Sequence, residues 1–408
     1  MSFILDINLQ RKVQDHTKDK LLDPGSQHGS LTCTQKVPGT ARLRAIIFLH
    51  YEKLSFKNET TIIYLSLLPF LQLDTLVAKI SNTVENPELK ELAKQVPQLV
   101  LKSRAENTTK KYNTYFCKWI AWCQTYSIKS MPAKDEHVAL YLTSLVQNKV
   151  SPEVMESTFY AIEHFHKLNL LDSPFDTYLC TMIIEAAKRE PKSRLKQKKE
   201  PITAEHIRKI FAIIGKESCS ILNLRTFTMM VLSFAGFFRY SEVSELKCCD
   251  IEWHDTYIKL FVEKSKTDVY RDGHWLLIAK LQSPICPVKM LNLYISRTEL
   301  NKNSEEHLFR AMTWLKKQNK HILKKQDKPI SYSTARTNML EMIDKIGLDK
   351  KLFGLHSLRA GGASAAANEG VPDRLFKRHG RWKSEKAKDG YVKDKLSELL
   401  SVSLSLGL

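Results

Sequence analysis

The stretch GLHSLRAGGASAAANEG, residues 354–370, bears most directly on the fold. It reads as an alanine-rich helix. His356 and Arg359 stand three apart, so they share a face of that helix. Gly361, Gly362, Ala363, Ala365, Ala366 and Ala367 keep the helix thin. A neighbouring backbone or a ligand can therefore approach the His–Arg pair closely. A single such pair more often serves structure than chemistry, so its meaning depends on the rest of the chain.

Three further places can carry chemistry. GFFRYSEVSELKCCDI (236–251) puts Arg239 after an apolar helix, with Glu242 three residues on. That spacing is also an ordinary helical ion pair. KSKT (264–267) places Lys264 and Lys266 in a turn between expected strands, where lysines are common. HGRWKSEKAKDGY (379–391) is basic and solvated, yet it carries Trp382 and, nine residues later, Tyr391. The plain reading of those rings is two anchors packed beneath basic side chains.

The 408 residues suggest two or three domains, and 43% hydrophobic content suffices for real cores. Lys and Arg number 63 against 44 Asp and Glu, giving a net charge of +19. A surplus of that size favours a polyanionic partner, usually nucleic acid. The eight cysteines, at 33, 117, 123, 180, 219, 248, 249 and 286, form no CxxC or zinc spacing, and reduced thiols are expected. MSFILDINLQRKVQDH has no signal-peptide pattern. TIIYLSLLPFLQL (61–73) is too short to span a bilayer and holds Pro69, so no membrane role is expected.

Residues 1–102 carry no motif and read as an N-terminal extension of unknown role, partly flexible, with short helices at 61–81 and 86–102. Four amphipathic segments follow. NTTKKYNTYFCKWIAWCQTY has Asn107 or Thr108 as cap, and 135–148 is the second. Ser151–Pro152 opens the third, at 151–168, and 176–190 is the fourth. They predict a compact helical domain over 103–192. The basic linker that follows, centred on 193–202, carries Lys192, Arg194, Lys196, Lys198 and Lys199 about its start. It is a solvated hinge, a phosphate contact or a nuclear import signal. The second domain, 203–395, opens on a Thr-capped helix (203–214) and an apolar helix (225–237). YIKLFVEKSKTDVYRDGHWLLIA (257–279) predicts two or three antiparallel strands, turning near Lys266 or Asp272–Gly273. WLKKQNKHILKKQDK (314–328) is expected to be a basic helix face. In the tail, 396–408, SVSLSLGL alternates and predicts a strand. The fold class is therefore mainly α with a small antiparallel β-sheet (α+β).

Together the four places suit phosphoryl transfer on DNA. Two arginines can fork onto the non-bridging oxygens of a phosphate. A His donates or shuttles a proton, a Lys can protonate a leaving oxygen, and a Tyr can attack phosphorus. The order Arg239, Lys266, His356–x–x–Arg359, Trp382, Tyr391 resembles the tyrosine recombinase (phage integrase) family over roughly 105–395. HSLRAGGAS and GRW…Y are especially similar to recombinases of eukaryotic mobile elements such as cryptons and DIRS-like retrotransposons. The resemblance implies a helical core-binding (SAM-like) domain followed by the catalytic domain. It implies that Arg239 and Arg359 clamp the scissile phosphate and that Lys266, with Lys264 as fallback, is the general acid. His356 matches the His before the second arginine, Trp382 the position of a phosphate donor, Tyr391 the nucleophile and Glu242 the support of the first arginine. His379 lies twelve residues before Tyr391 and is the poorer match for the donor. The lysines between Trp382 and Tyr391, Lys383 among them, are expected to face DNA.

The implied activity is site-specific cleavage and rejoining of double-stranded DNA through a 3′-phosphotyrosine, with no metal, ATP or other cofactor. Four protomers would act on two sites through a Holliday junction, passing the C-terminal tail between them. A nuclear location and a mobile-element origin accompany this expectation. A co-opted, inactive DNA-binding protein is the alternative.

Overall fold

The computed structural model describes residues 73–175, 178–190, 198–214, 219–266, 268 and 270–407. The chain divides into two compact units, Met1–Arg189 and Glu190–Leu408. Residues 61–72 of the helix expected over 61–81, the flexible segment before it and residues 193–197 of the basic linker lie outside the described residues.

The first unit is all helical: α1 (Leu73–Ser81), α2 (Pro87–Lys102), α3 (Glu106–Thr125), α4 (Asp135–Gln147), α5 (Pro152–Leu168) and α6 (Leu179–Arg189). The apolar spacing in α3 buries Phe116, Trp119, Ile120 and Cys123. They pack with Val138 and Leu142 of α4, Met155, Ile162 and Phe165 of α5, and Ile184 of α6. α3 starts one residue before Asn107, with Ala105 at its cap position, so neither expected cap residue serves there. Ser151 does occupy the cap position of α5, with Pro152 first in the helix. His166 is buried in this core. Its Nε2 accepts from the Ala133 N–H at 2.8 Å, and its Nδ1 donates to the Ile162 carbonyl at 2.8 Å. That pattern fixes the neutral tautomer, and burial lowers its pKa.

The second unit is built around α8 (Ile221–Ala235), preceded by α7 (Ala204–Ile214). α8 begins four residues before its expected start, capped by the Ser220 side chain. It is buried nearly all round, as a central helix must be. The short α9 (Tyr240–Ser244) leads to a sheet of β1 (Ile251–Trp253), β2 (Tyr257–Val262) and β3 (His274–Ala279). The strands are antiparallel in the order β1-β2-β3. Alternation in YIKLFV turns Ile258, Leu260 and Val262 to the core. The third strand is β1, which precedes the stretch that predicted the sheet. Residues 263–273 form one long connection holding both expected turn positions.

α10 (Pro287–Thr298) packs on α8 and leads to β4 (Met312–Leu315) and β5 (Lys320–Leu323). These two strands form a second antiparallel pair, with Trp314 opposite His321. The expectation of a basic helix over 314–328 is therefore corrected. The stretch reverses at Asn319, whose φ of 48° is left-handed, and its lysines crowd the turn rather than one helical face.

α11 (Tyr332–Lys345) and α12 (His356–Asn368) complete the core, followed by α13 (Asp373–His379), α14 (Glu385–Asp389) and α15 (Leu396–Leu404). α12 lies against two backbones. A Cβ on Gly361 would sit 1.8 Å from the Ile202 carbonyl oxygen, and one on Gly362 would sit 2.0 Å from that of Phe234. The glycine pair is thus a contact surface. The strand expected in the tail is a helix, α15. In it Leu396, Leu399 and Leu400 recur at helical spacing, and no residue is buried. Among the described residues, no helix is long and apolar enough to cross a membrane.

Candidate active site

The candidate site grows from the end of α8. After Gly236 the chain turns through Phe237, whose φ is 47°, and delivers Arg239 as the residue before α9. Glu242 sits in the first turn of α9, three residues on. Its Oε2 accepts from the Arg239 backbone N–H at 2.9 Å, and its Oε1 accepts from Arg239 Nη1 at 2.6 Å. The ion pair that the spacing allows is present and buried, and Glu242 is wholly enclosed.

α12 brings in Arg359, 0% exposed. Its Nη1 donates to the Phe237 carbonyl and lies 3.8 Å from Glu242 Oε2, and its Nη2 donates to Gly380 O at 2.5 Å. One carboxylate therefore sits between the two arginines. The guanidinium carbon of Arg359 lies 4.8 Å from the Trp382 ring centroid and 4.9 Å from that of Tyr391. Both rings offer their faces to a buried cation. Trp382 packs with Phe237, Ala363 and Phe376 and is only 5% exposed. Its ring folds over Gly380, where a Cβ would stand 1.9 Å from it. Its Nε1 is buried with no hydrogen-bond partner among the described residues, as is Arg359 Nε. A buried donor without a partner is costly, and an anion in the pocket would satisfy it.

A third arginine, which sequence reasoning did not single out, completes the cluster. Arg381 is buried with a φ of 56°, a conformation few non-glycine residues adopt. It donates to Glu242 Oε2 at 2.8 Å, to Phe237 O at 3.0 Å and to His379 O at 2.9 Å. Arg381 thus ties the Trp382–Tyr391 segment to the turn carrying Arg239. Its place directly before Trp382 is the signal that could have flagged it. Burial alone would raise the Glu242 pKa. Arg381, the Arg239 N–H, and the Arg239 and Arg359 charges outweigh burial and hold it below the ordinary carboxylate value. Three arginines facing one carboxylate leave two positive charges in a nearly closed pocket. Buried charge is tolerated when a counter-charge meets it, so the pocket suits an anion.

His356 is the first residue of α12 and is exposed, whereas Arg359 on the same helix is fully buried. Partial enclosure of its ring, then the charges of Arg359, Arg239 and Lys266, lower its pKa. It is therefore neutral at pH 7, able to accept a proton at one nitrogen and donate at the other. Lys266 stands exposed on the 263–273 connection, near enough for its charge to act on His356. Lys264 is exposed on the same connection. His379 is committed elsewhere. Its Nε2 donates to the Ala235 carbonyl at 2.8 Å, and its ring stands edge-on to Phe237 at 4.7 Å.

The structure thus gathers Arg239, Glu242, Arg359, Trp382 and Tyr391, with His356 and Lys266 at the rim. Lys383 is exposed. Lys388 is not among the lysines facing outward from this segment. It is buried against Asp373, Glu385 and Asp389, which corrects the expectation for the lysines before Tyr391. Lys198 and Lys199 are exposed, and Lys199 donates to the Lys351 carbonyl. Lys192, Arg194 and Lys196 lie outside the described residues.

Comparisons with known proteins add similarity in sequence and in fold. Residues 200–397 match the phage integrase family. An integrase/recombinase xerD homolog of Selenomonas ruminantium is 26% identical over 312 residues, covering 76% of this chain and 87% of that protein. The fold resembles that of the XerH site-specific recombinase bound to its palindromic difH substrate in a post-cleavage complex. The TM-score is 0.54 at 14% identity, over 84% of this chain and 96% of that one. The pre-cleavage complex of XerH gives 0.51 at 14% identity, over 83% and 96%. Residues 200–397 are thus similar in sequence to the phage integrase family, and the mainly helical fold with small antiparallel sheets is similar to that of XerH.

Proposed function

We propose that this protein is a site-specific DNA recombinase that cleaves and rejoins DNA through a 3′-phosphotyrosine. The observation that carries the reading is the buried arginine cluster, with its positive surplus and orphaned donors, lying against the Tyr391 ring. Tyr391 Oη attacks the scissile phosphorus, and the bond to the 5′-oxygen breaks. Neutral His356 receives the tyrosine proton, and Lys266 protonates the departing 5′-oxygen. Arg239, Arg359 and Trp382 Nε1 donate to the non-bridging oxygens as charge gathers there. Such electrostatic clamping dominates phosphoryl transfer. A 5′-hydroxyl from a second duplex reverses the step, conserving the phosphate bond energy.

The partner is double-stranded DNA, and the working form is a tetramer on two sites. The apolar α15, exposed at Leu396, Leu399 and Leu400, supports assembly through a neighbouring copy. The wording HSLRAGGAS with GRW…Y supports a eukaryotic mobile-element origin, and the basic linker supports a nuclear location.

The test is a covalent trap. Nicked random-sequence duplexes that lose the 5′-hydroxyl fragment after cleavage are incubated with the protein and run on a denaturing gel. A protein–DNA adduct is expected, and it should vanish in Tyr391→Phe. An adduct that survives the substitution excludes Tyr391 as nucleophile. Tight, salt-sensitive binding with no adduct points to a binding protein.

A further inference from the structure

We infer that the β4–β5 hairpin is a separate DNA-contact arm, which grips backbone phosphates away from the cleavage pocket. This inference rests on the DNA reading above. Lys316, Lys317, Lys320, Lys324, Lys325 and Lys328 all lie on the hairpin or its exit, and all are exposed. Among the described residues none of the six pairs with a carboxylate. The one acid within residues 312–328, Asp327, is engaged with His307 at 3.0 Å. Some exposed lysines elsewhere in this unit do find acids: Lys350 meets Asp344, and Lys395 meets Glu369. A run of like charge left uncompensated is repulsive within the protein, and a polyanion relieves it.

The hairpin is also mounted firmly. At its entrance the Arg310 carbonyl accepts from Arg225 Nη1 at 2.8 Å. At its exit the Ile330 carbonyl accepts from the Tyr240 hydroxyl, and Tyr240 packs edge-on against Tyr332 at 5.1 Å. Tyr240 directly follows Arg239, so the hairpin's base adjoins the arginine pocket. Met312 and Leu323 pack on the core, while Trp314, on the same face and nearer the turn, is 46% exposed against His321 at 4.7 Å. A large ring left in solvent beside unpaired lysines is placed to lie on a sugar or base edge. Two four-residue strands leave little else for this element to do: its outer half buries no core residue.

The test is the salt dependence of duplex binding. Each neutralised phosphate contributes about −0.9 to the slope of log K against log salt. Lys316→Gln, Lys317→Gln and Lys320→Gln combined should make the slope shallower by about 2 to 3. The control removes Lys280, Lys289 and Lys302, which lie toward the end of the sheet away from His274 and Arg381. Its slope should change by less than about 1. Trp314→Ala should weaken binding without changing the slope. If both triple variants shift the slope equally, or the hairpin triple leaves it unchanged, the hairpin is only a solvated turn. A wild-type chain whose duplex binding ignores salt overturns the DNA reading itself, and this inference with it.

Discussion

Glu242 is the residue on which the pocket turns. It accepts hydrogen bonds from Arg239 and Arg381 and stands 3.8 Å from Arg359 Nη1, and its charge holds those three segments in register. Arg381 keeps that charge in place, since its guanidinium is the largest of the favourable influences on Glu242. Arg381→Met leaves Glu242 short of a partner, and losing one side of a buried pair costs about 3–5 kcal/mol. DNA cleavage should slow by about 100-fold, as expected when a clamp shifts by an ångström. Arg381→Lys should recover part of the rate. The sign of the pH effect follows from the depressed Glu242 pKa: the carboxylate and its ion pairs persist above that value and fail below it. Without Arg381 the pKa climbs, so the acid limb of the cleavage rate should move to higher pH. An unmoved limb would show that Arg381 does not act through Glu242; Arg239, Arg359, His356, His274 and His379 are the other titratable or charged groups nearby. Arg239, Glu242, Arg359, Trp382 and Tyr391 could be singled out because four segments in one order suit one reaction, although each spacing alone reads as structure. Arg381 was not, because its role depends on meeting a carboxylate 139 positions away in the chain.

The element that delivers Arg359 is equally constrained. A Cβ at Gly362 would overlap the Phe234 carbonyl oxygen, so Gly362→Ala must push α12 off α8. Overpacking of this kind costs about 1–3 kcal/mol, and Arg359 would move with its helix. The denaturation midpoint should fall and the covalent adduct should become faint. Ala363→Gly, on the same helix, should cost only about 1 kcal/mol through propensity, although it also removes a buried methyl. Helices with clear apolar spacing, such as α3 and α5, were legible, and so was the alternation in β2. β4 and β5 were not. Four residues per strand give alternation too little length to show, and the lysines obscured the turn at Asn319. The tail misled for the opposite reason: its serines alternate with apolar residues, yet Leu396, Leu399 and Leu400 sit at helical spacing. Among the described residues no strand pairs with the tail, and local helical propensity prevailed.

At the scale of the molecule, pH and assembly are the levers. His164 and His166 in the first unit, and His356 and His379 in the second, all have lowered pKa values, with His164 lowered to about 4. Burial is the largest cause in each. A histidine whose folded pKa is depressed stabilises the fold fully above its unfolded value, about 6.5, and loses that contribution as pH falls toward the folded value. Urea midpoints for the whole chain should therefore drop between pH 7 and 5, and His164→Phe should remove its own share of that drop, leaving the share due to His166. On the proposed reading, assembly rests on α15. None of its residues is buried, so removing residues 396–408 should change stability by no more than about 0.5 kcal/mol. Yet each leucine buried on a neighbouring copy is worth about 1.5–3 kcal/mol, and several are presented together. The truncated chain should keep its melting temperature and its binding to a single site while losing the complex that joins two sites, measured as mass on paired-site DNA. A large fall in melting temperature would mean that α15 packs on its own protomer. An intact paired complex would mean that protomers meet through a different surface.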